Sequence, residues 1–312
     1  MKLGLSSFTY SWAVGVKGYP PAKPMSFMDL IKMTHHFGLS VLQIGDNLPL
    51  DKLHLEELKA GRKALLDYQI ELEIGCRGLH EETLQKYLDL CIFFSSRLLR
   101  IVIDSEGYEP SDSEVIRILK KFAPEFEKYG IILAIENHDR FRSKGLSTIL
   151  NKVNSDHIGI CLDTANSLGC LEGIQTITES LIPFTVNLHA KDIVIHRLPN
   201  QLGFHITGKA AGHGMLDMGS IIKQVYRNRK NTNCILEQWT KYTGNLEETI
   251  RKEAEDAEIG ISALRQLIAE AIEDDISFKV LEKKVSRGNC TVESIKLKGK
   301  SFTQLMIEYP DI

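Results

Sequence analysis

The chain has 312 residues, 43% of them hydrophobic, with 38 Lys and Arg against 41 Asp and Glu for a net charge of −3. That composition suits a soluble globular protein holding one large α/β barrel or two ordinary domains. It argues against nucleic acid as a partner, and no apolar run reaches the roughly 18 residues of a membrane span. The N-terminus enters a strand-like segment without the basic and apolar regions of a signal peptide. Cys76, Cys91, Cys161, Cys170, Cys234 and Cys290 show no C-x-x-C spacing and fall mostly in apolar segments. Reduced thiols in a cytoplasmic protein are the simplest reading.

In chain order, Leu3–Phe8 reads as a first strand with a polar and aromatic exit as far as Trp12, and Gly15–Pro24 as a loop. Ser26 suits the N-cap of a helix running to about Phe37 and ending at Gly38. Val41–Ile44 is a second strand, Leu53–Tyr68 a helix, and Ile70–Ile74 a third strand leaving Gly75-Cys76-Arg77-Gly78 at its end. A helix over Glu81–Phe94 and a strand over Leu98–Ile103, ending in Asp104, come next. Asp112–Tyr129 follows as a helix in which Pro124 predicts a kink or a break.

Ile131–His138 closes an apolar run with Glu136-Asn137-His138. Such a run suits a strand buried on both faces, as in a parallel sheet covered by helices. The pattern recurs. A short helix near Leu146–Val153 leads to Ile158–Leu162 and Asp163; a helix over Leu171–Leu181 leads to Phe184–Leu188 and His189. Asp217–Arg229 is a helix, Cys234–Leu236 the eighth strand before Glu237, and Leu246–Ile268 a final helix. The long connection Ile193–Gly214 predicts a hairpin over the barrel mouth, with Ile193–Leu198 and Gly203–Thr207 flanking Pro199-Asn200-Gln201. Beyond residue 269, Ser277–Leu281 and Thr291–Lys296 suggest a small β appendage with no assigned role.

Eight strands alternating with helices predict the α/β class and a (β/α)8 TIM barrel over residues 1–269, with a C-terminal extension over 270–312. An open doubly wound sheet is the runner-up. No G-x-G-x-x-G opens the first βα turn, and the polar residues follow many strands rather than one switch point.

In a barrel the carboxyl ends of all strands share one face, so Glu136, Asp163, His189 and Glu237 would meet. Each acid alone could be a helix cap or a surface charge; four at successive strand ends point to a site. Three carboxylates and an imidazole suit one Mn2+, Mg2+, Co2+ or Zn2+, and the lack of cysteine ligands argues against structural zinc. Such an ion, bound to a carbonyl and its neighbouring hydroxyl, acidifies the carbon-bound proton between them. Glu136 and Glu237, from the fifth and eighth strands, would then serve as catalytic acid and base on opposite sides of an enediolate.

These residues resemble the xylose isomerase-like barrels, a superfamily of sugar isomerases and epimerases, inosose dehydratases and the endonuclease IV branch. The resemblance covers about residues 1–269. It rests on Ile135-Glu136-Asn137-His138, Leu162-Asp163-Thr164-Ala165-Asn166, His189-Ala190-Lys191-Asp192, Gly212-His213-Gly214-Met215-Leu216-Asp217 and Leu236-Glu237. It implies that Glu136, Asp163, His189 and Glu237 hold one divalent metal. Ketose 3-epimerases carry a histidine where Asn166 stands here, and the H-x-K-D form at His189 is more typical of the broader isomerase and inosose dehydratase-like branch.

Candidate substrate contacts are His138, Asn166, Lys191, Trp12 and Arg77. Against them stand a histidine behind the ligands for His138, an ion pair with Asp192 for Lys191, core packing for Trp12 beside Tyr10, and plain exposure for Arg77. His205 and His213, near the long loop, are further candidates, whereas His35 and His36 belong to a helix far from the mouth. Gly212-x-Gly214-x-x-Asp217 is too short for a dinucleotide fingerprint and fits a turn into a helix capped near Asp217.

The expected activity is metal-dependent isomerisation or epimerisation of a small sugar or keto-sugar in the cytoplasm, in a chain free to form a homo-oligomer. The alternative is a lyase of the inosose dehydratase type, which expels a β-hydroxyl from the same enediolate. An endonuclease IV-like phosphodiesterase needs more strand-end histidines than Gly45-Asp46, Gly75-Cys76 and Asp104 provide. A non-catalytic sugar-binding barrel would have little use for two facing glutamates.

Overall fold

The computed structural model describes residues 1–286. The elements run β1 Leu3–Ser6, α1 Ser11–Val14, α2 Phe27–His36, β2 Val41–Ile44, α3 Leu55–Asp67, β3 Glu71–Arg77, α4 Glu81–Phe94 and β4 Leu98–Val102. Then come α5 Asp112–Tyr129, β5 Ile132–Glu136, α6 Ser143–Val153, β6 Ile158–Asp163, α7 Ile174–Leu181 and β7 Thr185–Ala190. A hairpin of β8 Asp192–Arg197 and β9 Phe204–Lys209 precedes α8 Met218–Asn228, β10 Asn233–Leu236 and α9 Leu246–Ser286.

Eight parallel strands close in the order β1, β10, β7, β6, β5, β4, β3, β2, with β8 and β9 forming a separate antiparallel pair. This is the (β/α)8 barrel that the strand and helix alternation requires. No helix among the described residues is long and apolar enough to cross a membrane.

Alternation along each strand sorts the side chains into two compartments. Leu42, Ile44, Leu99, Ile101, Leu133, Ile135, Ile160, Leu162 and Leu188 join the helices in one continuous apolar layer. Residues of the opposite parity include Leu98, Ala134 and Cys161, which form a small apolar plug with Val186, brought in where the β6–β7 register shifts. Gln43, Glu73, Arg100, Asn187 and His189 are buried too, each 4% exposed or less. A polar interior of this size is tolerable only because its members bond one another.

Three expectations need correction. α5 runs unbroken through Pro124. Its buried face of Val115, Ile118, Leu119, Phe122 and Phe126 straddles the proline and keeps both halves helical despite one missing backbone hydrogen bond. The final helix does not stop at Ile268, and Ser277–Leu281 is helical rather than a strand. Ile261, Leu264, Ile268 and Ala271 keep burying at helical spacing, and Lys223 reaches Asp274 at 2.6 Å from α8. Thr291–Lys296 lies outside the described residues. Leu171–Leu181 also splits: Leu171 takes a left-handed conformation (φ 59°) before α7 begins at Ile174.

The pairing of β6 with β7 slips by one residue, from Ile160↔Thr185 to Cys161↔Asn187, and then brings Asp163 opposite His189. Gly159 makes this possible, since a Cβ there would lie 2.6 Å from Val186 Cγ1 and 2.7 Å from the Phe184 carbonyl oxygen. Gly159→Ala should therefore cost about 1–3 kcal/mol, read as a lower urea midpoint with an unchanged m-value. A midpoint equal to that of the parent would show that the strands can part without loss.

Candidate active site

Glu136 ends β5, Asp163 ends β6, His189 is the next-to-last residue of β7, and Glu237 follows β10. All four are 3% exposed or less. His189 Nδ1 stands 3.4 Å from Glu136 Oε2, 3.4 Å from Glu237 Oε1 and 3.8 Å from Asp163 Oδ2. Ligand atoms about 2.0–2.2 Å from one ion stand roughly 3.0–3.6 Å from each other, which is close to this spacing. His189 Nδ1 is buried without a hydrogen-bond partner. The donor set and this orphaned nitrogen fit a divalent cation.

Two buried cations border the cluster. Lys191 Nζ lies 2.8 Å from Asp163 Oδ2 and 3.1 Å from Glu237 Oε2. On the other side Arg100 Nε binds Glu136 Oε2, and Arg100 Nη1 reaches Asp46 Oδ1 at 2.6 Å. Neutral donors complete the shell: Asn166 Nδ2 gives a 2.6 Å hydrogen bond to Glu136 Oε1, and Ser6 Oγ one of 2.9 Å to Glu237 Oε1.

Burial alone would raise the pKa of Asp163 and Glu237, but the charges prevail. Lys191 and His189 hold Asp163 far below the usual carboxylate range, and His189 with Lys191 holds Glu237 below its normal value. Burial likewise opposes the charge on Lys191, yet Asp163 and Glu237 raise its pKa and keep it an ammonium.

The remaining candidates divide. Asn166 and Lys191 touch the cluster. Lys191 does not pair with Asp192, whose carboxylate instead accepts backbone N–H bonds from Ile193, Gly212, Gly214 and Leu216 and so folds the loop after the hairpin. Asp217 caps α8 by accepting from the Ser220 amide at 3.0 Å. Arg77, at the mouth end of β3, donates from Nε to Asp46 at 2.8 Å and stands one residue removed from Arg100. Trp12 is tied down by Nε1 donating to the Thr240 carbonyl at 2.8 Å and by stacking on Tyr242. His138 stays outside the cluster, with Nδ1 2.8 Å from Asp139. His35 stacks on Tyr68 on the outer helices.

Sequence reasoning passed over Arg100, Asp46, Gln43 and Ser6. A signal was there for two of them: an arginine in Leu-Leu-Arg-Ile-Val and a glutamine in Val-Leu-Gln-Ile interrupt otherwise apolar strands. A polar residue buried inside such a strand needs a partner in the barrel interior. The hairpin rises from the mouth immediately after Lys191. Gly208 packs so closely on Trp239 that a Cβ would lie 2.2 Å from the Trp239 carbonyl oxygen, and the Trp239 ring covers Lys191 Nζ at 4.9 Å.

Residues 76–267 match the family described as xylose isomerase-like TIM barrel. The chain belongs to that family. Its relatives include 3-oxo-isoapionate decarboxylase of Pectobacterium atrosepticum, 30% identical over 253 residues that cover 81% of this chain and 91% of that protein. A crystal structure of D-psicose 3-epimerase in the presence of D-fructose superposes with a TM-score of 0.61 at 14% identity, covering 86% of this chain and 99% of that one. A xylose isomerase-like TIM barrel protein from Mycobacterium smegmatis in complex with magnesium gives 0.60 at 12% identity, covering 84% and 97%. Within this xylose isomerase-like barrel the four strand-end residues form one buried cluster with Asn166 and Lys191.

Without an ion, His189 is held protonated. Burial opposes the charge, but neighbouring acidic groups, among them Glu237 and Glu136, overcome it and raise the imidazole pKa well above normal. Metal uptake must displace that proton. Mn2+ affinity should therefore rise with pH, by up to about tenfold per unit between pH 6 and 8, with proton release seen by calorimetry in buffers of different ionisation enthalpy. An affinity flat across that range would remove His189 from the ligand set.

Proposed function

We propose that this chain is a divalent-metal-dependent enzyme that forms an enediolate from a small sugar-derived 3-oxo acid by expelling CO2. The observation that carries this reading is the pairing of Glu136 with Arg100 and of Glu237 with Lys191. His189 and Lys191 hold the Glu237 carboxyl below its ordinary value against the effect of burial, which weakens it as a base and disfavours two-base proton transfer here. Loss of CO2 needs no base. The 30% identity to 3-oxo-isoapionate decarboxylase supports the same reaction class.

Glu136, Asp163, His189 and Glu237 would hold the ion, which when bound supplies positive charge beside the substrate's carbonyl and adjacent hydroxyl. The bond between the carboxylate carbon and the α-carbon breaks, and its electron pair moves through the α-carbon to the carbonyl oxygen as CO2 departs. The α-carbon then takes a proton, and Lys191 is the ammonium placed to give it. Arg100 and Asn166 keep Glu136 fixed while charge shifts, Ser6 does the same for Glu237, and Trp239 with the β8–β9 hairpin keeps water from the enediolate. We take residues 1–269 as the catalytic unit, acting in the cytoplasm on a small molecule, alone or as a homo-oligomer.

The second reading is the isomerase or epimerase. It is favoured by the two glutamates, each 3.4 Å from His189 Nδ1, which could stand on either side of a planar intermediate. A lyase remains its neighbour, with the same enediolate losing a β-hydroxyl.

One experiment separates these routes: incubation with Mn2+ in D2O of sugar-derived 3-oxo acids, ketoses and inososes. The proposal expects CO2 from the oxo acid, one deuterium at the former α-carbon, and no exchange into ketoses. Lys191→Met should slow CO2 release about 10²–10⁴-fold, the usual cost of losing a placed acid. Deuterium washed into a ketose without CO2, suppressed by Glu136→Gln, would replace decarboxylation with epimerisation or isomerisation. Loss of water from an inosose would make it a lyase.

A further inference from the structure

His189 can serve the cluster only if the nitrogen facing it carries a lone pair, and the structure contains a device that decides this. Nδ1 faces the three carboxylates; Nε2 faces the other way and lies 2.7 Å from Gln43 Oε1. An amide can present either its oxygen or its NH2 group, so the identity of that end matters.

Three amides converge on Glu73, which is 4% exposed in the barrel interior. Gln43 Nε2 donates to Glu73 Oε2 at 3.0 Å, Asn187 Nδ2 to the same oxygen at 2.9 Å, and Asn233 Nδ2 to Oε1 at 2.8 Å. Burial pushes the Glu73 carboxyl above its ordinary value, the three amide donors oppose that by favouring the charged form, and an ionised carboxylate only accepts hydrogen bonds. Each amide must therefore turn its NH2 group toward Glu73. The second Gln43 donor bond, 3.2 Å to Asn187 Oδ1, agrees with that orientation, as does the Cys161 thiol donating to the same oxygen at 3.4 Å. Gln43 is left with its oxygen toward His189, and an oxygen can only accept. Once the imidazole gives up its second proton to take an ion, the remaining hydrogen must sit on Nε2 and the lone pair on Nδ1. With Gln43 1% and Asn187 0% exposed, bulk water does not compete for the bonds these two make.

We infer that Gln43 and Glu73 are positioning residues that commit His189 to present Nδ1 as a ligand, although neither touches the ligand cluster's carboxylates. The inference rests on the metal reading above and extends it to a second layer. Glu73, from β3, sets Gln43, from β2; Gln43 sets His189, from β7. Partners of this kind change metal affinity by about 10–100-fold when removed.

The test compares Mn2+ binding by calorimetry in the parent, Gln43→Leu, Glu73→Gln and the exchanged pair Gln43→Glu with Glu73→Gln, alongside metal-free melting temperatures. Gln43→Leu removes the acceptor. Glu73→Gln lets the Gln43 amide turn over, because the new amide can donate as well as accept. Both single variants should bind Mn2+ about 10–100-fold more weakly, and the exchanged pair should recover to within about tenfold of the parent because residue 43 again only accepts. In Zn2+-loaded parent, 15N spectra of labelled histidine should show His189 protonated at Nε2 and bare at Nδ1. Single variants that fold and bind as tightly as the parent, or an exchanged pair no better than either single, overturn the inference. So does a proton on Nδ1 in the Zn2+-loaded parent, a result that stands even if a variant fails to fold. A parent chain that takes up neither ion overturns the metal reading together with this one.

Discussion

Three carboxylates buried side by side at neighbouring strand ends must be met by positive charge, and the mouth of this barrel is built around that demand. Removing ionised groups from water costs several kcal/mol each even after relaxation. Asp163, Glu237 and Glu136 are nevertheless all but inaccessible. Lys191 answers two of them and Arg100 the third, while His189 stands among all three. Arg100 is itself shared with Asp46, and Asp46 with Arg77, so an alternating line of charge runs from the ligand cluster to the solvent edge. Burial works against the charge on Asp46, yet the two arginines bring its pKa down to about 2. This arrangement holds both glutamates in place and lowers the basicity of Glu237, and both effects bear on which reaction the site can run.

The fold and the principal cluster were legible in the sequence because they depend on periodicity and on where strands end. Ile132–Glu136 shows the logic: an apolar strand needs cover on both faces, and its first polar residue falls at the rim. Repetition across β6, β7 and β10 placed all the suspected ligands at one end of the barrel. The partners of those ligands were harder to see. Arg100 and Gln43 sit inside strands rather than at strand ends, and their meaning depends on register between chain segments up to 146 residues apart. The role given to Lys191 shifted for the same reason. Its sequence neighbour Asp192 points away to gather backbone amides, whereas Asp163, on the adjacent strand, is the acid it meets.

Local sequence was weakest where tertiary packing overrides it. Pro124 would end an isolated helix, but five buried side chains hold α5 against the barrel. Ser277–Leu281 alternates like a strand, yet it continues a helix already anchored by Leu264, Ile268 and Ala271. In both cases burial of one helix face outweighs a local preference worth a few kcal/mol at most.

The central claim is that the strand-end cluster holds a divalent ion whose charge the pocket uses. The most direct measurement is an anomalous difference map from crystals grown with Mn2+. The account predicts one strong peak within about 2.0–2.3 Å of His189 Nδ1 and of oxygens from Glu136, Asp163 and Glu237. A featureless pocket, with Lys191 and Arg100 still neutralising the carboxylates at saturating Mn2+, would contradict it.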